Sequence, residues 1–388
     1  MAYGYYRTLT IDHTKCGSGS SSSFPVLVSI SGATSVKLTG SGGNVQNTCT
    51  QTGGAGGTIP ADLVFSTDSA GSSKLPWEVQ FYDGAAGTLI AWVQVPTVSN
   101  SSDIVFYMAY GDAGVTTQQN TGSYAPANVW DTNYKGVWHL NDTASSATIH
   151  DSTTNTNNGT ATSGMVGATG KIGVGAKYPV SNTADDISIP NSASLTINGP
   201  FSMSIWFNLP SGANSIHCLL AKDYYAGYTG SIGYNPYYQD VNCSDTVTNT
   251  IDTYSHVTVP YNTWVHAVLT INSSNANIYI NGSYAWGVTP GASPNYFKGA
   301  YPLLIGGKST ASFQTTPIIN GMTDEARISN VVRSADWVKT EYNNQNAPGN
   351  IGTPGFLTYG VETANGGSSF QPAWAQGSNR ILVGGIYV

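Results

Sequence analysis

"TWVHAVLTINSSNANIYINGSYA" (263–285) decides the fold class. Apolar and polar residues alternate through TWVHAVLTI (263–271) and again through ANIYINGSYA (276–285). A period of two places successive side chains on opposite faces of a strand, so each run reads as a strand with one buried face. Asn281-Gly282 interrupts the second run. A two-residue hairpin turn needs positive φ at both central positions, which this pair tolerates best. The stretch therefore predicts antiparallel strands joined by tight turns.

The same pattern extends in both directions. FSMSIWFNL (201–209) and PLLIGGK (302–308) also alternate, and Trp138, Trp206 and Trp264, with apolar neighbours, are expected in the core. Nearer the start, FPVLVSI (24–30), ADLVFSTD (61–68), LPWEVQFYD (75–83), LIAWVQVP (89–96) and DIVFYMAYG (103–111) are short runs bounded by Gly, Ser, Asn or Pro. That spacing predicts a sandwich. The glycine-rich stretch 39–58 reads as a long surface loop. One helix is predicted in RSADWVKTEYNNQ (333–345), with Ser334 as its cap and Val338 and Tyr342 on one face. The fold class is all-β: two antiparallel β-sandwich domains and a short C-terminal tail. The boundaries are 1–115, a linker at 116–128, 129–362, and a tail at 363–388 that ends in the apolar ILVGGIYV.

Composition narrows the function. Of 388 residues only 9% are charged, the net charge is −7, and the 14 Lys and Arg form no cluster. Binding to nucleic acid needs basic residues gathered on one face, so it is excluded as an expectation. No apolar run reaches the ~18–20 residues of a membrane-spanning helix. The opening MAYGYYRTLTIDH (1–13) has no charged n-region or apolar h-region of an export leader. Cys16, Cys49, Cys218 and Cys243 have no zinc spacing. Pairing them locally, 16 with 49 and 218 with 243, would add ~3 kcal/mol per bond; free buried thiols are the alternative.

The first region resembles a bacterial, archaeal and phage family known as a domain of unknown function. The resemblance rests on Tyr6-Arg7-Thr8-Leu9-Thr10-Ile11, Phe24 to Val26, Phe65 with Asp68, Leu75-Pro76 with Glu78, Trp92 to Pro96, and Tyr107, Tyr110 and Gly111. The second region resembles a laminin-G-like, concanavalin A-like jelly roll. It does so through Gly136 to Leu140, the Asp151-Ser152 to Asn158-Gly159 turn, Phe201 to Trp206, Trp264-Val265-His266, Ile278 to Gly282, Ile305 to Gly307, and Asn320 to Ile328. The apolar tail is similar to those that end many phage structural proteins.

These resemblances imply candidate sites. Laminin-G-like relatives often bind a structural Ca²⁺, which takes six to eight hard oxygens. Asp151 and Asp324 match the family's acidic positions, with Asn158 or Asp142 adding oxygens. Glu325 shares a strand face with Arg327, two residues on, and pairs with it instead. Glucanases of this fold carry Glu-x-Asp-x-x-Glu on one strand face, a run this sequence lacks. A sugar site needs aromatic platforms, and CLLAKDYYAGYTGSIGYNPYYQDVNC (218–243) supplies six Tyr. Tyr237 and Tyr238, after Asn235-Pro236, form the expected loop-tip pair, with Tyr234 beside them; the alternative is that half of these Tyr fill the core.

The expected function is a non-enzymatic structural protein on a virion exterior, as capsid decoration, fibre or tail-associated component. Its jelly roll would contact carbohydrate or a host surface. The tail residues Phe370, Trp374, Ile381, Leu382, Val383, Ile386, Tyr387 and Val388 would anchor it to other virion proteins or to a second copy, each buried side chain contributing ~1.5–3 kcal/mol. A cellular secreted or surface adhesin or lectin is the alternative, and a glycan hydrolase a more distant one.

Overall fold

The computed structural model describes residues 3–142, 147–161, 164–179, 186–212, 216–222, 230–235, 237–245, 251–290, 300–307, 315–316, 318 and 320–365. Among these residues it is all-β apart from one α-helix and short 3-10 turns. The expected strands form. In the first sandwich, Tyr5–Ile11, Ile104–Tyr110 and Leu63–Ser66 share one sheet, while Ser21–Ile30, Thr88–Val98 and Trp77–Asp83 form the other. Between them lies a core that includes Phe24, Phe65, Trp77 and Phe106. The glycine-rich stretch departs from the expected open loop. It folds a small hairpin of Thr48–Thr50 and Thr58–Pro60, held because buried Gln51 both accepts from the Val79 amide and donates to its carbonyl.

The second sandwich pairs a nine-stranded with an eight-stranded sheet among the described residues. The 263–285 stretch gives antiparallel strands Val265–Ile271, Ala276–Ile280 and Ser283–Val288. Asn281 and Gly282 both take positive φ, 51° and 75°, as the turn requires. A Cβ on Gly282 would also stand 2.9 Å from Tyr342, so the turn and the helix fit only with glycine there. Trp138 and Trp206 are fully buried, whereas Trp264 precedes its strand and is only partly covered.

Alternation is present, but its meaning differs from a solvent-facing sheet. In Phe201–Asn208, residues 201, 203, 205 and 207 enter the sandwich core. The opposite face, with Ser202, Ser204 and Trp206, is buried as well. The helix Ala335–Asn346 covers it, capped as expected by Ser334, whose hydroxyl accepts from the Trp337 amide at 3.1 Å. Val338 packs with Val268 and Tyr279, and Tyr342 stacks on Trp206.

The helix faces the first sandwich too. Trp337 packs on Phe24 with ring centroids 4.7 Å apart. Ser21–Ile30 is an edge strand, and its outward-facing backbone groups need partners or blocks. Pro25 has no amide to offer. At Leu27, the Asn344 side chain accepts from the amide (2.7 Å) and donates to the carbonyl (3.1 Å). Tyr359 Oη does the same at Ser29, and Asn350 at Ser31. The last turn of the helix and the segment after it thus seal an edge that lies more than 300 residues earlier in the chain.

Two boundaries are corrected by these contacts. Leu357–Tyr359 and Thr363–Ala364 pair with Tyr5–Ile11, so the chain beyond the helix rejoins the first sheet instead of ending the second domain at 362. The 116–128 segment is packed structure, not a spacer: Asn120 is fully buried and donates to the Trp77 carbonyl and to Gln51. The tail residues Phe370, Trp374, Ile381, Leu382, Val383, Ile386, Tyr387 and Val388 lie outside the described residues. No helix among the described residues is long and apolar enough to cross a membrane.

Candidate functional site

Two clusters stand out, one sealed and one open. The sealed cluster joins the sandwiches. Glu78, from the first, accepts from Ser152 Oγ (2.6 Å), Trp130 Nε1 (2.9 Å) and the Ala55 amide. His139 lies between Glu78 Oε2 at 3.5 Å and Glu325 Oε1 at 2.8 Å. Glu325 also accepts from Gln80 and from Arg327 Nη2 at 2.8 Å, and Arg327 Nη1 reaches Glu341 on the helix at 2.6 Å. The guanidinium lies over the rings of Trp92 (4.5 Å) and Trp130 (5.0 Å). Every charged group here is at most 5% exposed. Such burial is tolerated because each charge has opposite partners and hydrogen bonds. The expected Glu325–Arg327 pair is present; the reach to His139 and Glu78 had no signal in the sequence.

Electrostatics follow from that packing. Burial opposes charge on His139, but the carboxylates of Glu325 and Glu78 outweigh it and raise the imidazole to about 10. His266 is buried with Arg327 and Lys171 nearby, and desolvation lowers it to about 3. Burial, with Glu325 adjacent, pushes the Asp324 carboxyl well above the usual range.

The expected calcium set does not converge. Asp151 accepts from the amides of Val137, Thr153 and Asn157 and from the Thr153 hydroxyl, which shapes the turn. Asn158 Oδ1 accepts from the Asp151 amide. Asp324 accepts from the amides of Ile172 and Glu325 and is fully buried. Asp142 is taken up by the His150 amide. With both oxygens of Asp151 and Asp324 taken by protein donors and no grouping of these carboxylates among the described residues, the set does not fit a Ca²⁺ ion. Among the described residues, Asp12, His13 and Asp103 do bring ligand atoms together. There, however, His13 Nδ1 sits 2.6 Å from Asp103 and the Lys15 ammonium 3.4 Å from Asp12, an ion-paired surface cluster.

The cysteines are corrected likewise: none of the four is joined in a disulfide. The strand Gly230–Asn235 lies between those carrying Cys218 and Cys243, and two strand spacings of ~4.8 Å exceed the reach of a disulfide. Burial raises the Cys16 thiol to about 11 and that of Cys218 to about 12.

The open cluster lies where an outer strand of each sheet of the second sandwich meets the other. Asp240–Asp245 and Ile251–Tyr254 end the nine-stranded sheet, and Ser283–Val288 ends the eight-stranded one. Tyr238, Asp240, Tyr254, His256 and Thr258 line a cleft of about 420 Å³, within the roughly 300–1,000 Å³ of small-ligand sites. Tyr238 and Tyr254 meet edge to face at 5.4 Å, and His256 sets its ring against Trp286 at 4.7 Å. Tyr237 is 78% exposed and Tyr238 65%. Trp286 and Tyr284 add further exposed ring surface. The expected pair, Tyr237 and Tyr238, is therefore outside and available. Tyr234 is not: it is 1% exposed, in the core against Tyr261. One residue off the turn reverses its side because alternation resumes at the strand. Tyr254 and His256, which line the cleft, and Trp286, whose ring meets His256, were missed by sequence reasoning, since they come together from separate strands and loops.

Comparison with known proteins agrees with the architecture. Residues 60–148 match the model of a domain of unknown function, DUF2341, and residues 181–339 that of the concanavalin A-like lectin/glucanases superfamily. No curated protein matches the sequence. Among solved structures, the binding domain of Paraclostridial Mosquitocidal Protein 1 is similar at 16% identity and a TM-score of 0.45, over 55% of this chain and 53% of that one. This chain thus spans about half of that protein's length. Domain 4 of AbnA, an extracellular arabinanase from Geobacillus stearothermophilus, in complex with arabinotriose, is similar at 18% identity and a TM-score of 0.43, over 54% of this chain and 98% of the domain. Trypanosoma rangeli sialidase is similar at 11% identity and a TM-score of 0.43, over 70% and 45%.

Proposed function

We propose that this chain, an all-β protein whose second sandwich is concanavalin A-like, is a non-enzymatic structural component of a virion exterior that displays this sandwich for contact with glycans. The carrying observation is the aromatic cleft at the sandwich edge, with Tyr237 and Tyr238 exposed beside it. Large rings left in water at a concave, polar-rimmed place suit the flat apolar face of a pyranose, and tyrosine is ordered at low entropic cost. A binding rather than hydrolytic role is supported by the lining. Asp240 is its single carboxylate among the described residues, whereas glycosidases use two. Glu78, Asp324, Glu325 and Glu341 are sealed in the junction.

The virion assignment rests on the resemblance of the first region and on the apolar composition of the tail. A cellular surface adhesin or lectin would use the same cleft, whose described lining comes from one chain. Titration with a panel of oligosaccharides, followed through Trp286 fluorescence, tests the glycan role; saturable change in the full chain and none in Trp286→Phe with Tyr238→Ala is the expected result. Removal of residues 366–388 separates the two settings: loss of assembly fits a virion component, and unchanged association fits the adhesin.

A further inference from the structure

We infer that the cleft selects uncharged sugars and turns away acidic ones, with Asp240 as the residue that reads the ligand. The inference rests on the glycan-binding reading above and names the class of glycan. Asp240 is 2% exposed, lines the cleft and comes from the first residue of its strand. One carboxylate oxygen, Oδ2, accepts from the His256 amide at 3.3 Å. The other, Oδ1, is buried and has no hydrogen-bond partner.

Buried acceptors are nearly always satisfied, so one left open beside a cleft points to a donor supplied from outside. A hydroxyl of a sugar whose ring lies against Tyr238 would provide it. A buried carboxylate used this way also discriminates. A ligand carboxylate or sulfate brought to the same place has no proton to give and adds a like charge in a desolvated setting. Among the described residues, no Lys or Arg lines the cleft to offset that charge. Sites built around a hydrogen bond reject ligands that leave it unmade far more strongly than apolar pockets reject a missing methylene.

The test uses the full chain and paired probes: lactose against sialyllactose, and neutral glucose, mannose and galactose trisaccharides against their uronic-acid or sulfated counterparts. Affinities are read by calorimetry for the natural chain, Asp240→Asn and Tyr238→Ala, with thermal melting of each. At least one neutral probe is expected to bind at least tenfold more tightly than its acidic partner. Asp240→Asn should lose tenfold or more of that affinity with its melting temperature kept. An acidic probe that binds as well as its neutral parent overturns the inference and, if Tyr238 is still required, leaves the glycan role standing. The paired comparison on the natural chain decides this even if the Asp240 variant does not fold. Unchanged affinity in a folded Asp240→Asn variant overturns the inference as well. Absence of binding to every probe overturns both readings together.

Discussion

Glu325 holds a left-handed backbone, φ 50°, at a bulge in the strand Met322–Ser329, where one extra residue opposes Ser204 to Trp206. A non-glycine residue in that region is strained by about 1–3 kcal/mol unless its surroundings over-determine it. Here His139, Gln80 and Arg327 do so. Removing the cation with Arg327→Ala should therefore destabilise the protein by about 3–5 kcal/mol, read from denaturant midpoints, because Glu325 and Glu341 are left buried and unpaired. The two buried histidines predict the pH profile. His139, raised to about 10 from 6.5, gives stability that is complete below 6.5 and lost as pH climbs to 10. His266, lowered to about 3, gives stability that is complete above 6.5 and lost as pH falls. Melting temperature should peak near pH 6.5, and His139→Gln should flatten the alkaline side. A profile still rising from pH 7 to 9 would contradict this. Only the two-residue spacing of Glu325 and Arg327 was legible beforehand; the carboxylate of Glu78 and the ring of His139 meet through folding, without a local pattern to announce it.

The elements most legible in sequence were those with strict local chemistry. Asn281-Gly282 turned where expected, and Ser334 capped the helix. Alternation located the strands but left open what covers each face. Ser202, Ser204, His266 and Thr270 looked like a wet surface, yet all lie under the helix or in the junction. The same ambiguity misplaced Tyr234, since core and surface alternate with every residue. Covering an edge strand by side chains leaves no periodicity at all. Its energetic weight can be measured: Asn344→Leu orphans both backbone groups of Leu27 and should cost about 1–3 kcal/mol, exceeding the ~1 kcal/mol of Ser334→Ala. Equal losses in chemical denaturation would argue that the Asn344 seal contributes little.

At the scale of the whole molecule, the helix and the chain after it tie the sandwiches into one structure. Glu362 accepts from Asn44 and from Tyr110 Oη, and Leu357–Tyr359 completes the first sheet. The sandwiches should consequently unfold in one calorimetric transition, and two separated transitions would show that the junction is not cooperative. The cleft is lined by residues of the second sandwich that take no part in the junction's ion pairs, so substitutions of its exposed side chains should change binding without changing stability. Tyr238→Ala should leave the melting temperature within about 1–2 °C, as surface changes usually do, whereas Tyr234→Ala should cost about 3–5 kcal/mol as a cavity in the core. The most direct measurement is a glycan-array screen of the full chain beside Tyr238→Ala, each run with calcium and with EDTA. Binding by the natural chain, lost in the variant and indifferent to EDTA, is the predicted result. No binding by the natural chain, or binding that the variant keeps, would contradict a sugar site at this cleft.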